Sequence, residues 1–306
     1  MSSTLARVDG LKSQPLHGLL GTLCAYLDLV KPRIIVLLLV TTLAAMLMAA
    51  HGFPPAHVLL WTLLGGALAS ASAGTLNCIY DADIDKLMRR TENRPIPTGR
   101  IGIRAATIYA VTLGALSFAI LILFVNPLAA WLSLAGSVYY VGIYTMWLKR
   151  RTPLNIVVGG AAGSIPPLVG WAAVTGSLGP AAFALFGLIF LWTPPHFWAL
   201  ALMTETDYDK AGVPMLPNVV GEERTKIEIV VYSAVLVVGS LALYPLHVFG
   251  AAYEIAAAIL GALFLFYAIG TMRDRTTSFA RELFRYSLVY LALMSLAMVV
   301  DRVILR

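Results

Sequence analysis

Two short acidic segments carry the residues that could do chemistry in an otherwise strongly apolar chain. In the first, NCIYDADID, Asn77, Asp81 and Asp85 follow one another at four-residue intervals. If the preceding helix continues through them, their side chains stack on one face about 6 Å apart, and Asp83 points the other way, into solvent. Like charges at this spacing repel, and the C-terminal end of a helix disfavours anions. The pattern therefore predicts a positive group against this face.

A divalent cation suits these oxygen ligands better than nearby arginines do. Mg²⁺ in proteins takes one or two carboxylates, waters and a substrate phosphate. The second acidic segment, TETDYDKAGVPMLP, adds Glu205, Asp207 and Asp209 at the end of a later apolar stretch. The loops near both segments carry the basic residues Arg89, Arg90, Arg94, Arg100, Lys149, Arg150 and Arg151. Metal ligands and cations together predict a diphosphate site. The alternative is two solvated, charged helix ends, which are common in membrane proteins.

Three further features each allow more than one interpretation. The run from Lys149 to Arg151 either clamps phosphate or anchors a helix at the cytoplasmic face. Asn155, just inside the next apolar stretch, either binds the diphosphate or packs against a neighbouring helix. His196 is the one histidine inside an apolar stretch, which makes it a candidate iron ligand, proton carrier or hydrogen-bonded core residue.

The elements that must position these residues are membrane helices. Of the 306 residues, 59% are hydrophobic and only 12% charged, and the mean hydropathy is +0.82, whereas soluble domains are about 25% charged. Apolar stretches of about 20 residues, enough to cross a bilayer as helix, recur instead of the short alternating segments of a β-barrel. They lie near 34–50, 58–80, 103–124, 128–148, 154–175, 181–203, 227–247, 251–271 and 284–304. The predicted fold is therefore an all-α membrane protein of about nine transmembrane helices.

Basic residues predict how this bundle lies in the membrane. Twenty of the 22 Lys and Arg residues fall on one side of the nine spans, which we assign to the cytoplasm, with the C-terminus outside. This asymmetry explains the net charge of +6 without a nucleic-acid partner. No cleavable signal pattern is recognisable at the N-terminus, and we expect a bacterial inner (plasma) membrane, with an organelle inner membrane as the alternative.

The predicted organisation is one transmembrane domain at 28–306, after an N-terminal cytoplasmic segment at 1–27. Two cytoplasmic loops, 81–102 and 204–226, are long. The pairs Pro166-Pro167 and Pro194-Pro195 are expected to interrupt the fifth and sixth spans, because proline removes a helical hydrogen bond.

These motifs resemble those of the UbiA superfamily of intramembrane prenyltransferases. The superfamily's first motif, NxxxDxxxD, matches Asn77, Asp81 and Asp85. The stretches DIDKLMRRTENRPIPTGRI, YTMWLKRRTPLNIVVGGAAGSIPPLVGW, TPPHFWALAL and DYDKAGVPMLP are similar to the branch of that family that modifies haem. The second motif departs from the usual DxxxD or DxxDD pattern, since Thr204 and Tyr208 stand at two of its positions.

The resemblance implies a UbiA-type bundle with Mg²⁺ as cofactor. It also implies transfer of the farnesyl group of farnesyl diphosphate to a vinyl group of haem B, with addition of water. The implied metal ligands are Asn77, Asp81, Asp85 and Asp207; Glu205, Asp209 or water could complete the second set. The implied catalytic residues are Asp81, Asp85, Asp207 and Lys149, and the implied diphosphate-binding residues are Arg94, Arg100, Lys149, Arg150 and Asn155.

The haem contact and the partners are also implied by the resemblance. His196 is the expected haem contact because TPPHFWAL carries it and haem iron commonly takes a histidine. The expected partners are farnesyl diphosphate, haem B, the lipid bilayer and a haem A synthase that uses the product.

Two other functions compete with this interpretation. A prenyltransferase acting on a quinone precursor or chlorophyllide would share the first motif, but the stretches TPPHFWAL and GVPMLP argue against it. A transporter would hold ion and substrate near mid-membrane between broken helices. Here the carboxylates cluster at one membrane face, which disfavours transport.

Overall fold

A computed structural model describes residues 18–305, in which helices and connecting loops are present and no strands. Residues 1–17, most of the predicted N-terminal segment, and Arg306 lie outside the described residues. The helices are α1 (Leu19–Val30), α2 (Pro32–Ala50), α3 (Ala56–Tyr80), α4 (Ala82–Asp85), α5 (Ile103–Phe124), α6 (Pro127–Val138), α7 (Asn155–Thr175), α8 (Pro180–Met203), α9 (Glu205–Lys210), α10 (Leu216–Val220), α11 (Glu222–Leu241), α12 (Ala251–Arg273) and α13 (Ser278–Val303). A π-helical segment, Tyr139–Leu148, continues α6 to the membrane face.

Within residues 18–305, the long helices correspond in order to the nine predicted spans, and eight of them are long and apolar enough to cross a membrane. The ninth, α11, opens with the charged residues of EERTK. The seventh span was predicted at 227–247, and that boundary is wrong. Helix α11 ends at Leu241, because Pro245 has no N–H to donate to the carbonyl of Leu241 and its ring would clash with that carbonyl in a continued helix.

The long helices form a closed ring in which neighbours along the chain pack side by side. Helix α2 packs on α3, α3 on α5, and so on through α12 and α13, and α13 returns to pack on α2. Helix α7 also contacts α2, and helix α8 contacts both α2 and α13, across the ring. These two are the most enclosed: 67% of the most apolar stretch of α8 is buried, against 17% for α5. The functional candidates on α7 and α8 therefore lie in the interior.

The two proline pairs do not break their helices, contrary to the prediction. Helix α7 runs through Pro166-Pro167 and α8 through Pro194-Pro195. Buried membrane helices tolerate proline because neighbouring helices and hydroxyl side chains can accommodate the freed backbone groups.

Helix α1 was not among the predicted elements. The expected domain boundary at residue 27 falls inside it, and Ala25 and Leu29 are buried against Cys78 of α3. The Cys78 thiol donates to the carbonyl of Leu29 (3.8 Å). Lys31 is the junction between α1 and α2. The packing of α1 thus holds Lys31 beside the C-terminal end of α3.

Candidate active site

The first acidic segment keeps the predicted spacing although it is not one uninterrupted helix. Helix α3 ends at Tyr80 and α4 begins at Ala82, but the amide of Asp81 still donates to the carbonyl of Asn77 (2.9 Å), and that of Asp85 to Asp81 (2.8 Å). Asn77, Asp81 and Asp85 are buried at 3%, 0% and 2% exposure. The side chain of Asp83 is 64% exposed. The three buried residues therefore share one inward face.

Each of these buried residues contacts a basic side chain. Lys149 forms an ion pair with Asp81, and Arg94 pairs with Asp85 at 2.7 Å. Burial lowers the pKa of Arg94, but the neighbouring acidic groups, Asp85 first among them, together raise it, and the net pKa is raised.

Lys31, which no motif in the sequence indicated, is the third cation. Its Nζ donates to Asn77 Oδ1 at 2.5 Å, and burial lowers its pKa. The only signal in the sequence is a lysine directly before Pro32 at the start of an apolar stretch. The site therefore holds three cations against two carboxylates.

The π-helical segment brings Thr145 and Lys149 to the acidic face of α3. The amide of Lys149 donates to the carbonyl of Tyr144, five residues earlier (2.9 Å). Thr145, one turn before Lys149, accepts a bond from the Asn77 amide (3.0 Å), and the same amide donates to Asp81 (2.8 Å). π-Helical turns occur frequently at functional sites, and here Thr145 of this segment and Lys149 directly after it both contact the acidic face.

Arg150 joins the exposed and the buried aspartates. It binds Asp83 through two bonds of 2.7 Å each and stacks over the ring of Tyr80 (4.8 Å to the centroid). The bond from Arg150 lowers the pKa of Asp83. Asp81 Oδ1 is buried and has no hydrogen-bond partner among the described residues; Arg150 Nη2 lies 3.9 Å from it. A buried, unbonded carboxylate oxygen is an available ligand position.

The second acidic segment packs against the first. Asp207 accepts a bond from the backbone amide of Arg90 (3.4 Å). Tyr208 is buried with Ile84 and Met88, and this burial raises the pKa of its phenol. Among the described contacts, Asp207 makes no bond to the buried acidic face of α3 and α4, so the two segments are neighbours without direct contact between their carboxylates.

Two predicted diphosphate-binding residues have other partners. Arg100 donates to the carbonyl of Asn93 (2.6 Å) and lies 3.7 Å from Asp28 of α1. Asn155 is fully buried, and its amide donates to the carbonyls of Thr152 (2.7 Å) and Pro214 (3.3 Å). Asn155 thus fixes the turn after Lys149 against the second acidic segment, as a positioning residue.

His196 lies between α8 and α13, apart from the acidic residues. Its ring is stacked between Trp192 (4.2 Å between centroids) and Phe284 (4.6 Å). Its Nδ1 is 2.6 Å from Ser287 Oγ, and that hydroxyl donates to the carbonyl of Phe284 (2.7 Å). With the hydroxyl proton on the Phe284 carbonyl, Nδ1 donates to Ser287 and the second ring nitrogen keeps its lone pair.

A cavity of about 340 Å³ lies between α3, α5 and the α6 helix with its π-helical extension. Its lining is small and apolar, with several serines, and includes Leu76 and Met146. These two residues adjoin Asn77 and Thr145 in the sequence. The cavity extends along α3, α5 and α6, and Asn77, Asp81 and Asp85 are not among its lining residues.

The donor chemistry of the site fits Mg²⁺, which prefers carboxylate and amide oxygens and retains waters. The free Oδ1 of Asp81 offers one ligand. Asn77 Oδ1 and Asp85 Oδ2 are already bonded to Lys31 and Arg94. No group of three or more His, Cys, Asp or Glu residues within 18–305 could hold a metal ion by itself. A metal here would therefore complete its coordination with water or a bound anion.

The chain is similar to several proteins of known type. The model of the UbiA prenyltransferase family matches residues 38–296. A protoheme IX farnesyltransferase of Synechocystis sp. is 55% identical over 96% of this chain and 94% of the relative. Another from Gloeobacter violaceus is 53% identical over 92% of each.

Solved structures share the fold. A digeranylgeranylglyceryl phosphate synthase superposes with a TM-score of 0.76 at 21% identity, over 92% of this chain and 99% of the other. A UbiA homologue from Archaeoglobus fulgidus bound to DMAPP and Mg²⁺ gives a TM-score of 0.64 at 21% identity, over 89% and 98%.

Proposed function

The chain belongs to the UbiA prenyltransferase family, and on that premise we propose that it transfers the farnesyl group of farnesyl diphosphate to a vinyl group of haem B. Water adds in the same reaction, so the products are haem O and diphosphate. Relatives at 50–56% identity carry the name protoheme IX farnesyltransferase, which supports this substrate pair over a quinone precursor or chlorophyllide.

One observation carries the proposal: two buried aspartates and three cations meet at the same end of the helix ring. Asp81 and Asp85 are buried with Lys149, Arg94 and Lys31 in contact with them or with Asn77. An excess of cations suits a polyanion, and ammonium and guanidinium groups suit phosphate oxygens. A transporter would need such groups near mid-membrane, so the location also supports an enzyme.

The side chains have distinct roles in the proposed reaction. Lys149 and Arg94 bind diphosphate oxygens, and Arg150, whose buried Nε has no hydrogen-bond partner among residues 18–305, supplies a further donor. Asp81 and Asp85, with Asn77, would hold Mg²⁺, and Asp207 would reach it from the second segment. The chemistry that Mg²⁺ supplies when bound is neutralisation of charge on the departing diphosphate.

The reacting carbon needs no covalent partner on the enzyme. The bond between farnesyl C1 and oxygen breaks, and diphosphate leaves with the electron pair. The vinyl group then forms the new carbon–carbon bond. Water attacks the resulting porphyrin-stabilised cation and loses a proton. The protein's task is to orient the two substrates and stabilise the leaving group.

The cavity between α3, α5 and α6 is the proposed position of the farnesyl chain. Its volume of about 340 Å³ is within the range of about 300–1,000 Å³ for small-molecule pockets. Two of its lining residues, Leu76 and Met146, are next to Asn77 and Thr145 in the chain, so the diphosphate would remain at the charged end while the farnesyl chain enters apolar surroundings.

His196 is the proposed haem contact. A metal-binding histidine commonly donates its other ring N–H to a fixed acceptor, and the bond from Nδ1 to Ser287 provides this arrangement. The ring nitrogen Nε2 would then face the iron. Trp192 and Phe284 hold the ring plane on both sides.

The proposed location is a bacterial inner membrane with the charged site facing the cytoplasm. The N-terminus would be cytoplasmic and the C-terminus outside, because basic residues concentrate at the end of the bundle that holds the site. A haem A synthase that consumes haem O is the proposed partner.

The test is an assay of the purified full-length protein with haem B, farnesyl diphosphate and Mg²⁺. Mass spectrometry should detect a porphyrin carrying a hydroxyethylfarnesyl group, together with released diphosphate. Parallel reactions would offer a quinone precursor and chlorophyllide. A product from one of those acceptors, with none from haem B, would refute haem B as the acceptor but would still support prenyl transfer as the reaction.

A further inference from the structure

Lys31 is held in the site by an unusual backbone conformation. It joins α1 to α2 with φ 56° and ψ 62°, in the left-handed region. A residue before proline is disfavoured in the right-handed helical region, but a left-handed conformation still costs free energy for any residue other than glycine. Such strain persists where surrounding contacts over-determine it, and these positions cluster at functional sites. A lysine at a position that favours glycine therefore indicates that its side chain has a role.

The side chain of Lys31 contacts an oxygen that a metal would also use. Its Nζ lies 2.5 Å from Asn77 Oδ1, and the Asn77 amide nitrogen is fully engaged by Asp81 and Thr145. Oδ1 is therefore the only atom of Asn77 that remains for a cation. A lysine ammonium and a divalent ion cannot share one oxygen at close range, because their charges repel strongly in a half-buried site.

The charges of the site leave Lys31 available to bind an anion. The buried carboxylates of Asp81 and Asp85 already have Lys149 and Arg94 as counter-ions, so Lys31 is the cation in excess. Lysine has a flexible four-carbon stem and three donors, which lets its ammonium move away from Asn77 without movement of the backbone. An anion bound beside Asn77 would be within its reach.

We propose that Lys31 and a divalent metal compete for Asn77 Oδ1, and that Lys31, once displaced, donates to the diphosphate. This rests on the proposed function insofar as diphosphate is the anion. Lys31 therefore weakens metal binding to the free enzyme and strengthens anion binding to the metal-loaded enzyme. These opposite effects on metal binding and anion binding distinguish Lys31 from a lysine that only stabilises the fold.

The test measures Mn²⁺ and inorganic diphosphate binding to the full-length protein in detergent, without farnesyl diphosphate or haem. Free Mn²⁺ is read by electron paramagnetic resonance, and diphosphate affinity is measured at saturating Mn²⁺. The variants are Lys31→Met and Lys31→Gly, the second of which also relieves the left-handed backbone and protects against misfolding. Arg33→Met is the matched control, because Arg33 is exposed and only two residues away.

Both Lys31 variants should bind Mn²⁺ about tenfold more tightly than wild type, the order expected for one hydrogen bond to a charged group. They should bind diphosphate about tenfold more weakly, while Arg33→Met stays close to wild type. Mn²⁺ affinity that is unchanged or weaker in both variants, or absent from all the proteins, overturns the competition. Tighter Mn²⁺ binding with unchanged diphosphate binding overturns the donation to the anion. Because neither readout uses haem or farnesyl, these shifts could appear even if the haem assay fails.

Discussion

Replacing Asp81 by asparagine should nearly abolish turnover, whereas the same change at Asp83 should matter little. Asp81 is fully buried, contacts Lys149 and Asn77, and has one oxygen without a hydrogen bond from any residue in the range 18–305. Asparagine preserves the shape but removes the charge that would hold a metal and balance Lys149. Loss of one preorganised electrostatic group typically lowers rates by about 10²–10³-fold, and we expect kcat/KM to fall by that factor.

The matched change, Asp83→Asn, removes a carboxylate of the same loop that is 64% exposed. Its pair with Arg150 is bidentate, but exposed pairs contribute only about 0–1 kcal/mol, so kcat/KM should fall by about fivefold at most. Activity is followed as haem O formed per folded protein, with folding checked by gel filtration and circular dichroism, across a Mg²⁺ titration. An Asp81→Asn enzyme with more than a tenth of wild-type activity, or equal losses in both variants, would refute the assignment of roles.

Two further predictions concern packing and the haem contact. Gly159→Ala should lower the stability of the bundle by about 1–3 kcal/mol, because a Cβ there would lie 2.2 Å from the ring of Tyr144, while Gly163→Ala, with open space at that position, should change it little. Thermal unfolding in detergent measures both, and similar midpoints for the two variants would contradict the packing. Ser287→Ala should raise the dissociation constant for haem B about tenfold or more through the orientation of His196, with the KM for farnesyl diphosphate unchanged. A Soret titration measures the first, and an unaltered haem affinity would remove His196 from the site.

The helix ring follows closely from the sequence because crossing a bilayer imposes a length and an apolar composition that are visible locally. Even so, three features were missed. Helix α1 is too short to be recognised as a span, and α11 begins with a charged turn that hides its start. The proline pairs looked like breaks because the tolerance of buried membrane helices depends on neighbours that no local pattern reveals.

The candidate site was predictable where spacing along one helix decided the geometry. Asn77, Asp81 and Asp85 share a face because hydrogen bonds at four-residue intervals persist through the short gap after α3. Contacts between distant parts of the chain were not predictable. Lys31 reaches Asn77 only because α1 packs beside α3, and Arg100 turns to the carbonyl of Asn93 and to Asp28 instead of the buried acids.

The closure of the ring by α2 and α13 bears on how the protein is made. Helix α2 is the first of the long helices to leave the ribosome and α13 the last, yet Ala44, Ala45 and Met48 of α2 share a core with Met294 and Met298 of α13. During synthesis the early helix must wait in the lipid, with one side uncovered, until the final helix is inserted. Completion of the bundle is therefore a late event, and the end of translation sets when α2 acquires its last neighbour.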